Sequence, residues 1–448
     1  MNRRSTWVFA SILFLSLGVY TADAAEKPPN IVLIISDDQA WTDFGCMGHP
    51  VVKTPNIDRL AAEGVLFRRG YVTTSLCRPS LATIITGLYP HQHKICGNDP
   101  APPPGIPRRG ARRNPEYLAL CERLIQQIEK VPTLPRLLAE KGYLSLQTGK
   151  WWEGHYSRGG FTDGMTHGDP KRGGRHGDEG LKIGREGMQP IFDFIEKADG
   201  RPFFVWYAPF LPHQPHTPPE RLLKKYQAPG RPIELAKYYA MCEWFDETCG
   251  QLIDFLDRKG LSENTLVLFV VDNGWIQRTP ETKEPRGWRF RFAPKSKRSP
   301  YDGGIRTPII LRWPGKIQPA VHDTLVSSID LAPTILAAVG LEKTAQMPGV
   351  NLLDVIAADG RCDRKAIFGE IYAHDVAEIG NPAASLQYRW CISGRWKLIL
   401  PADASEPVEL YELQADPHET RNLARSHPDV VERLRRLTDE WWNGKSKG

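Results

Sequence analysis

The chain has 448 residues, 41% of them hydrophobic and 25% charged, with a formal net charge of +6. This length gives room for one large domain with an ample core and for a smaller second one. The charge is too small to indicate a nucleic-acid partner. After the first 24 residues, no stretch is long and apolar enough to cross a bilayer.

The N-terminal residues have the pattern of a secretory signal peptide. Arg3 and Arg4 precede an apolar run at 7–20, and the small residues at 22–24 provide a cleavage site after Ala24. The run is too short, and has the wrong flanks, for a membrane span. We therefore predict a signal peptide over residues 1–24 and a secreted or periplasmic protein.

Eight cysteines are present, and none has the CxxC spacing of a zinc site. A secreted chain permits disulfides. Cys242 and Cys249 could pair, although their spacing alone does not show it.

Strands and helices alternate from residue 30 to about residue 340. Continuous apolar runs predict strands buried on both faces, and capped segments with helical spacing of apolar residues predict helices. The predicted strands are Asn30–Ile35, Val65–Tyr71, Tyr143–Gln147, Pro202–Phe210, Thr265–Val271 and Ile309–Trp313. The predicted helices are Thr54–Gly64, Cys77–Gly87, Glu116–Lys130, Leu134–Lys141, Met188–Lys197, Glu234–Arg258 and Asp330–Val339.

After about residue 360 the pattern changes to short strands and a final amphipathic helix, Pro428–Trp442. The alternation before that point predicts an α/β domain with a mainly parallel sheet over residues 25–360. Residues 361–448 are expected to form a small C-terminal α+β subdomain, an antiparallel sheet with one helix. The segments at 157–187 and 277–300 lack a period and are predicted loops.

The helix predicted to begin at Cys77 is the most informative segment of the sequence. Pro79 suits a first helical turn, and Gly87 suits the left-handed residue that ends a helix. This arrangement leaves Cys77 at a helix N-terminus, where free N–H groups and the helix dipole favour an anion. A half-buried structural cysteine is the alternative interpretation.

Reactive side chains follow four of the predicted strands, in the order Asp37 and Asp38, Lys150, His213, and Asp272 and Asn273. Ligands of parallel sheets bind beyond the carboxyl ends of the strands. Three carboxylates and one amide supply oxygen donors, which suit Ca²⁺ or Mg²⁺. Without a metal, these carboxylates would repel one another and a pKa would rise. A helix cap or a loop position is the alternative for each aspartate taken alone.

Several motifs occur in one order along the chain: DDQ at 37–39, TPNIDRLAAEGVLF at 54–67, CRPS at 77–80, TGLYPH at 86–91, TGKW at 148–151, PH at 212–213, DNG at 272–274, YDGGIRTP at 301–308 and ELYELQADPHETRNLA at 409–424. In these motifs the chain resembles the type I sulfatases of the alkaline phosphatase superfamily, from Asn30 to about Leu423. The resemblance implies an α/β fold with a large mixed, mainly parallel sheet flanked by helices. It also implies a sulfuric ester hydrolase.

The family's chemistry, as the resemblance implies, oxidises the motif cysteine, here Cys77, to formylglycine (3-oxoalanine). The maturing partner would be a formylglycine-generating or an anaerobic enzyme. The hydrated aldehyde carries two hydroxyls: one attacks sulfur and the other, once deprotonated, ejects sulfate. The metal would be Ca²⁺, with Mg²⁺ possible, held by Asp37, Asp38, Asp272 and Asn273 together with position 77.

The same resemblance assigns roles to three more residues. Lys150 and Lys297 would hold sulfate charge, and His213 would bind sulfate or protonate the leaving group. Lys297 stands five residues before Asp302, the family's spacing, and Lys295 is its rival.

Two positions depart from the family pattern: Leu81 stands where arginine is usual, and Trp152 where histidine is usual. The arginine assists recognition of the cysteine and anchors the modified residue, and the histidine is the partner of the hydrated aldehyde. We expect His155, three residues beyond Trp152, to act as the base instead; His167 and His176 are the alternatives.

The expected substrate is a sulfated sugar or polysaccharide. Basic residues that could line a cleft for it are Arg108, Arg109, Arg112, Arg113, Lys171, Arg172, Arg175 and the segment 286–298. Trp151, Trp152, Trp288 and Phe290 could stack on sugar rings. A phosphomonoester or phosphodiester hydrolase with the same site, and a sulfated-glycan-binding pseudoenzyme, are the competing hypotheses.

Overall fold

A computed structural model of the protein describes residues 27–168 and 174–445. The predicted signal peptide and the basic residues Lys171 and Arg172 lie outside the described residues. Within them, no helix has the length and apolar character that a membrane crossing needs. All eight cysteines lie in the described ranges as free thiols, so Cys242 and Cys249 do not pair.

Fifteen strands are found in the described ranges: β1 Asn30–Ser36, β2 Val65–Tyr71, β3 Asp99–Pro100, β4 Leu144–Gly149, β5 Asp163–Gly164, β6 Phe203–Ala208, β7 Thr265–Val271, β8 Arg306–Arg312, β9 Ala320–His322, β10 Val326–Ser327, β11 Ile367–Tyr372, β12 Asp375–Val376, β13 Leu386–Ser393, β14 Trp396–Pro401 and β15 Glu409–Glu412. The α-helices there are α1 Pro55–Ala62, α2 Cys77–Thr86, α3 Pro90–His93, α4 Pro115–Ile125, α5 Leu134–Ala139, α6 Gln189–Lys197, α7 Glu220–Tyr226, α8 Ile233–Arg258, α9 Asp302–Ile305, α10 Leu331–Ala338, α11 Leu352–Ala357 and α12 Pro428–Trp441.

A nine-stranded sheet forms the centre of the molecule, in the order β10-β2-β8-β7-β1-β6-β4-β5, with β9 paired to β2. Strand β1 lies parallel to both β6 and β7. Strand β8 runs antiparallel to its neighbours β7 and β2. The large mixed, mainly parallel sheet expected from the sequence is therefore confirmed.

Both faces of this sheet are covered, which explains the unbroken apolar runs of its central strands. In β1, Ile31, Leu33 and Ile35 join the core on one face, where helices α2, α5 and α10 pack. Val32 and Ile34 join the core on the other face, beneath α1, α6 and α8. All seven residues of β1 and all seven of β7 are buried.

A second, smaller sheet forms near the C-terminus, where β11, β13, β14 and β15 pair antiparallel in that order. Helix α12 packs on it through Leu434, which is fully buried against Cys391 and Leu398. The other face joins the main core through residues such as Trp390 and Ile399. The predicted antiparallel sheet with a helix is thus present. The division near residue 360 remains a prediction.

The differences from the predicted elements have local causes. Helix α4 ends at Ile125, and a short 3-10 turn covers Ile128–Lys130 where one continuous helix was expected. Strands β3, β5, β9, β10 and β12 have only two or three residues each, too few to produce a pattern in the sequence.

Candidate active site

The predicted reactive side chains meet at one edge of the large sheet. Strands β1, β4, β6 and β7 run parallel, so their carboxyl ends share that edge. Asp37 and Asp38 directly follow β1, Lys150 follows β4, and Asp272 follows β7. His213 comes five residues after the end of β6.

Gly149 brings Lys150 into this edge. Its φ of +76° is one that residues with a side chain rarely adopt, and a Cβ there would lie 1.8 Å from the carbonyl oxygen of Ala208. The close approach lets the Lys150 amide donate a 2.7 Å hydrogen bond to the same carbonyl. Glycine in the TGKW motif is therefore a steric requirement.

Helix α2 presents Cys77 to the same edge as its first residue. Gly87 ends the helix with φ +66°, as predicted, and every residue of the helix is buried. The Ser80 hydroxyl donates a 2.5 Å hydrogen bond to the carbonyl oxygen of Asp272, which ties the helix to the end of β7. Burial raises the pKa of the Cys77 thiol, so the unmodified side chain is a protonated thiol.

Two buried lysines stand among the acidic groups. The Lys150 Nζ donates to Asp37 Oδ1 at 2.7 Å, and the Lys297 Nζ donates to Asp38 Oδ1 at 2.5 Å. The Lys297 Nζ also lies 3.1 Å from the Cys77 sulfur. Burial acts to lower the pKa of both lysines, but the aspartates and Cys77 outweigh it and hold each pKa above its usual value.

The aspartates respond to this setting in different directions. Burial raises the pKa of Asp37 and of Asp272 despite the nearby Lys150. Burial acts to raise the pKa of Asp38 as well, but Lys297 and His213 together lower it below its usual value. The ionised forms of Asp37 and Asp272 are therefore disfavoured in this cluster of carboxylates.

Asp272 is fixed by the backbone. Its Oδ1 accepts hydrogen bonds from the amides of Asp38 at 3.1 Å and of Asn273 at 2.6 Å. The Asn273 Nδ2 donates to Asp38 Oδ1 at 2.7 Å. Asp38 itself has the left-handed φ of +60°, a strained conformation that turns its amide toward Asp272.

Four oxygens of this group fit a metal ion. Asp37 Oδ2, Asp38 Oδ2, Asp272 Oδ2 and Asn273 Oδ1 are buried and accept no hydrogen bond within the described structure. Asp37, Asp38, Cys77 and His213 each offer a ligand atom, all within 4.8 Å of one another. Buried oxygens without donors are costly, and a hard divalent cation that prefers oxygen ligands would satisfy them.

His213 is the last member of this cluster of side chains, and it lies next to Asp38. Its Nδ1 lies 2.6 Å from the carbonyl oxygen of Gln214, which assigns the proton to that nitrogen. Its Nε2 lies 3.3 Å from Asp38 Oδ2. Burial and the neighbouring Lys150 hold the pKa of His213 well below its usual value, so the ring is neutral.

A sequence model of the sulfatase family matches residues 29–341, well over half of the chain. The chain belongs to the sulfatase family. This confirms the resemblance seen in the motifs, and the protein is a sulfuric ester hydrolase. A second family model, the C-terminal part of N-sulphoglucosamine sulphohydrolase, matches residues 292–443 of this sulfatase.

Known proteins similar to this sulfatase align over most of its length. Human arylsulfatase A is 29% identical over 94% of the chain and 89% of its own length. Human N-acetylgalactosamine-6-sulfatase is 28% identical over 84% of the chain and 74% of its own length. A structure solved in complex with its substrate D-glucosamine-2-N,6-O-disulfate has a TM-score of 0.70 at 20% identity, covering 93% of this sulfatase and 98% of that chain.

The two departures of this sulfatase from the family pattern are close in sequence to an ion pair that the sequence did not reveal: Arg78 precedes Leu81 by three residues, and Glu153 follows Trp152. Leu81 and Trp152 are both buried. Beside them, Arg78 donates two hydrogen bonds to Glu153, at 2.9 and 2.6 Å, and both side chains are only 4% exposed. The partners are 75 residues apart in the chain, so no spacing could indicate the contact.

The three histidines considered as replacements for the usual base occupy different places. His155 bonds Ser157 at 2.8 Å and stacks against Tyr156, and a backbone bridge pairs it with His167. The structure does not bring His155 or His167 into the group around Cys77. His176 does line the cavity above Cys77.

That cavity has a volume of about 410 Å³. Its described lining comprises Asp38, Leu76, Cys77, Asn98, Lys150, Trp152, Arg175, His176, His213, Gln214, Trp275, Arg289, Phe290, Arg291, Phe292, Lys297, Arg298 and His374. Burial lowers the pKa of His176 to about 3, and its Nδ1 is buried without a hydrogen-bond partner among the described residues. The rival lysine, Lys295, turns away and donates to the carbonyl oxygen of Glu419.

Proposed function

We propose that this sulfatase removes sulfate from a sulfated carbohydrate, with a hydrated formylglycine made from Cys77 as nucleophile and a divalent cation as cofactor. The supporting observation is the set of four buried, unpartnered oxygens from Asp37, Asp38, Asp272 and Asn273. Two members of this set, Asp37 and Asp38, have ligand atoms within 4.8 Å of the Cys77 sulfur.

Those four residues and position 77 would hold the ion. Ca²⁺ is the expected metal and Mg²⁺ the alternative, because the unpartnered donors are all oxygens. When bound, the ion lowers the pKa of the nucleophile and neutralises charge on the sulfate oxygens. Oxidised position 77 supplies two hydroxyls on one carbon, one to attack sulfur and one to be deprotonated so that sulfate leaves.

Lys150 and Lys297 provide fixed positive charge at the reacting atoms. Their raised pKa values keep both side chains cationic at physiological pH. Lys297, at 3.1 Å from the Cys77 sulfur, stands next to the nucleophile's own position. We assign to these lysines the binding of sulfate charge and the stabilisation of charge on the leaving oxygen.

His213 is oriented for sulfate binding or for protonation of the leaving group. Its contact with Gln214 fixes the ring and directs Nε2 toward the site. Both roles need a proton on Nε2, and an anionic substrate favours that proton by adding negative charge beside the ring.

His155 was expected to act as the base from the loop after Lys150, but His176 has the better position for that role. It lines the cavity beside Trp152, the residue that stands in the place of the family's histidine, and a bound anionic substrate would raise its lowered pKa toward the range of a general base. Its ring centroid lies 5.3 Å from that of Trp152.

Aromatic side chains support a carbohydrate substrate. Trp152, Trp275, Phe290 and Phe292 line the cavity, where flat faces can stack on sugar rings. The similar human N-acetylgalactosamine-6-sulfatase carries a sugar sulfate in its name. The proposal includes a secreted or periplasmic location, where such polymers are accessible.

The test is sulfate release by protein produced in a host that carries the maturing enzyme. A panel of sulfated monosaccharides and disaccharides is assayed beside matched phosphate esters, with Ca²⁺ or Mg²⁺ present. We expect sulfate release from at least one sugar, little phosphate release, and no turnover by Cys77→Ala.

Intact mass of the peptide that contains Cys77 accompanies this assay. A formylglycine mass is expected. A free thiol together with glycan binding but no turnover would instead identify a sulfated-glycan-binding pseudoenzyme. Phosphate release that exceeds sulfate release would favour the phosphoester hydrolase.

A further inference from the structure

The cations around the active-site cavity divide into paired and unpaired groups. Lys150 and Lys297 are paired with Asp37 and Asp38. Arg175 bonds the carboxylate of Asp99 through two nitrogens. These three cations therefore already face a carboxylate.

Two of the four arginines that the sequence placed near residue 110 are neutralised in the same way. Arg112 donates to Asp99 at 2.7 Å, and Arg108 forms a two-nitrogen contact with Asp375. Arg108 also lies 3.1 Å from His374. The charges of Arg108 and Arg112 are therefore paired within the protein.

Arg298 differs from all of these. It is half-buried in the cavity wall, and no described carboxylate lies within ion-pair distance of its guanidinium. Its guanidinium carbon lies 4.9 Å from the centre of the Phe290 ring. Burial lowers the pKa of Arg298, although Asp375, which already pairs with Arg108, acts to raise it.

The backbone holds Arg298 in this place. Its φ is +64°, a conformation unfavourable for a residue with a side chain, and its amide donates a 2.8 Å hydrogen bond to the carbonyl oxygen of Ser75. Ser75 lies two residues before Cys77, so the backbone of Arg298 is anchored to the segment that carries the proposed nucleophile. Strained backbone at a cavity wall is typical of a position that serves binding.

The remainder of the described lining leaves this charge uncompensated. Asp38 is the sole carboxylate among the described lining residues, and Lys297 already contacts it. Arg289 and Arg291, on the same segment, add two exposed guanidiniums to the cavity mouth. Lys150 and Lys297 are assigned to the charge of the scissile sulfate. The remaining cations of the lining therefore exceed what a neutral sugar with one sulfate can balance.

We propose that Arg298 binds a second acidic group of the substrate, so that this sulfatase prefers carbohydrates bearing another sulfate or a carboxylate close to the scissile sulfate. The inference rests on the proposed function and names its substrate class. A planar guanidinium makes two parallel hydrogen bonds to either group, and Phe290 beneath it holds the plane in place. The exposed face of Phe290 then contacts the sugar that carries the second group.

The test compares matched substrates that differ in one acidic group. Glucosamine 6-sulfate is paired with glucosamine-2-N,6-O-disulfate, and galactosyl-glucosamine 6-sulfate is paired with glucuronyl-glucosamine 6-sulfate. For each pair, kcat/KM and the Kd from calorimetry are measured on the wild type, Arg298→Gln, Arg298→Lys and Arg286→Gln. Arg286 is an exposed arginine of the same segment that does not line the cavity, so it controls for the loss of one charge.

We expect the wild type to favour the more acidic member of at least one pair by about 10- to 100-fold. Arg298→Gln should reduce this ratio to near one, Arg298→Lys should restore part of it, and Arg286→Gln should retain it. The pair that shows the ratio identifies the second group as sulfate or carboxylate. A wild-type ratio near one in both pairs, or a ratio that Arg298→Gln leaves unchanged, overturns the inference.

The outcomes separate this inference from the proposed function. If sulfate is released but the ratios do not depend on Arg298, the function stands and the inference fails. If no sulfate is released, the proposed function fails for these sugars, and the calorimetric ratios still decide the role of Arg298.

Discussion

Lys397, on strand β14 of the C-terminal sheet, donates a 3.0 Å hydrogen bond to Asp302, five residues beyond Lys297. Lys397 also lies 2.7 Å from Glu419, and the three side chains are at most 2% exposed. Asp302 in turn receives a hydrogen bond from Tyr71 at 3.2 Å. This buried network connects the C-terminal sheet to the segment that delivers Lys297.

Replacing Lys397 by methionine would leave Asp302 and Glu419 buried without their cation. We expect the free energy of unfolding to fall by about 3–5 kcal/mol, the range found when one partner of a buried ion pair is removed. Urea unfolding followed by circular dichroism measures the change. Lys197→Met is the control, because Lys197 is 74% exposed and its ion pair with Asp163 should contribute under about 1 kcal/mol. Equal losses in the two variants would contradict the interpretation.

The proposed metal site makes thermal stability depend on calcium. An ion that binds the folded state alone adds about 2.7 kcal/mol at a concentration of about 100 times its Kd. Asp272→Asn keeps the Oδ1 acceptor for two backbone amides but replaces the unpartnered Oδ2 with an N–H donor. Calorimetric scans should show a rise in Tm with calcium for the wild type and for Asp375→Asn, and little rise for Asp272→Asn. A similar rise in all three proteins would place the ion elsewhere.

Exchange of single histidines distinguishes the candidate bases. His176→Ala should lower kcat for sulfate release by about 100-fold, the usual contribution of a general base. His155→Ala should change it by less than about twofold, because His155 is held by Ser157 and Tyr156 away from the cavity. Both rates are measured with saturating substrate after the formylglycine content has been checked by mass. The reverse ranking would return the role to His155.

Asp43 links stability to pH near the loop that carries Asp37 and Asp38. Burial raises its pKa to about 6, although Tyr238 donates to it at 2.6 Å. The unfolded carboxyl ionises near pH 4, so from there to about pH 6 the unfolded state binds fewer protons and stability falls as pH rises. Relative to Asp43→Asn, the wild type should lose about 2–3 kcal/mol between pH 4 and pH 7, measured by urea unfolding at each pH. Parallel pH profiles for the two proteins would show that Asp43 is ionised throughout.

Gly149 and Gly142 provide a matched pair of substitutions. Both have positive φ, +76° and +77°, but an added Cβ meets the Ala208 carbonyl at 1.8 Å in the first case and nothing within 4 Å in the second. Gly142→Ala should cost about 1–2 kcal/mol for its left-handed backbone alone. Gly149→Ala should cost several kcal/mol more and displace Lys150, with loss of sulfate release. Equal unfolding free energies would show that β4 and β6 separate easily.

The sequence was sufficient for the parts of the fold that depend on continuous burial. Strands β1 and β7 were predicted because a strand covered on both faces must be apolar at every position. The meeting of Asp37, Asp272 and Lys150 followed from the same fact, since parallel strands end at one edge. The site's acidic and basic groups were therefore predictable in position once the strands were known.

Contacts set by irregular backbone were not predictable. Lys297 was assigned from the family's spacing to Asp302, because its loop has no period that separates it from Lys295; Lys295 and Arg298 have left-handed φ values there. The pairing of Arg78 with Glu153 joins two loops distant in sequence. His155 was preferred to His176 on spacing alone, whereas the course of the glycine-rich segment determines which ring reaches the cavity.

The burial of helix α2 bears on whether Cys77 could be oxidised before or after folding. Cys77 is 2% exposed, and the whole helix is packed between the large sheet and α10. A second enzyme would need access to this side chain to oxidise it, and the folded protein does not expose it. If Cys77 is oxidised as proposed, the oxidation is expected to precede folding, and a molecule that folds with the thiol intact would remain inactive.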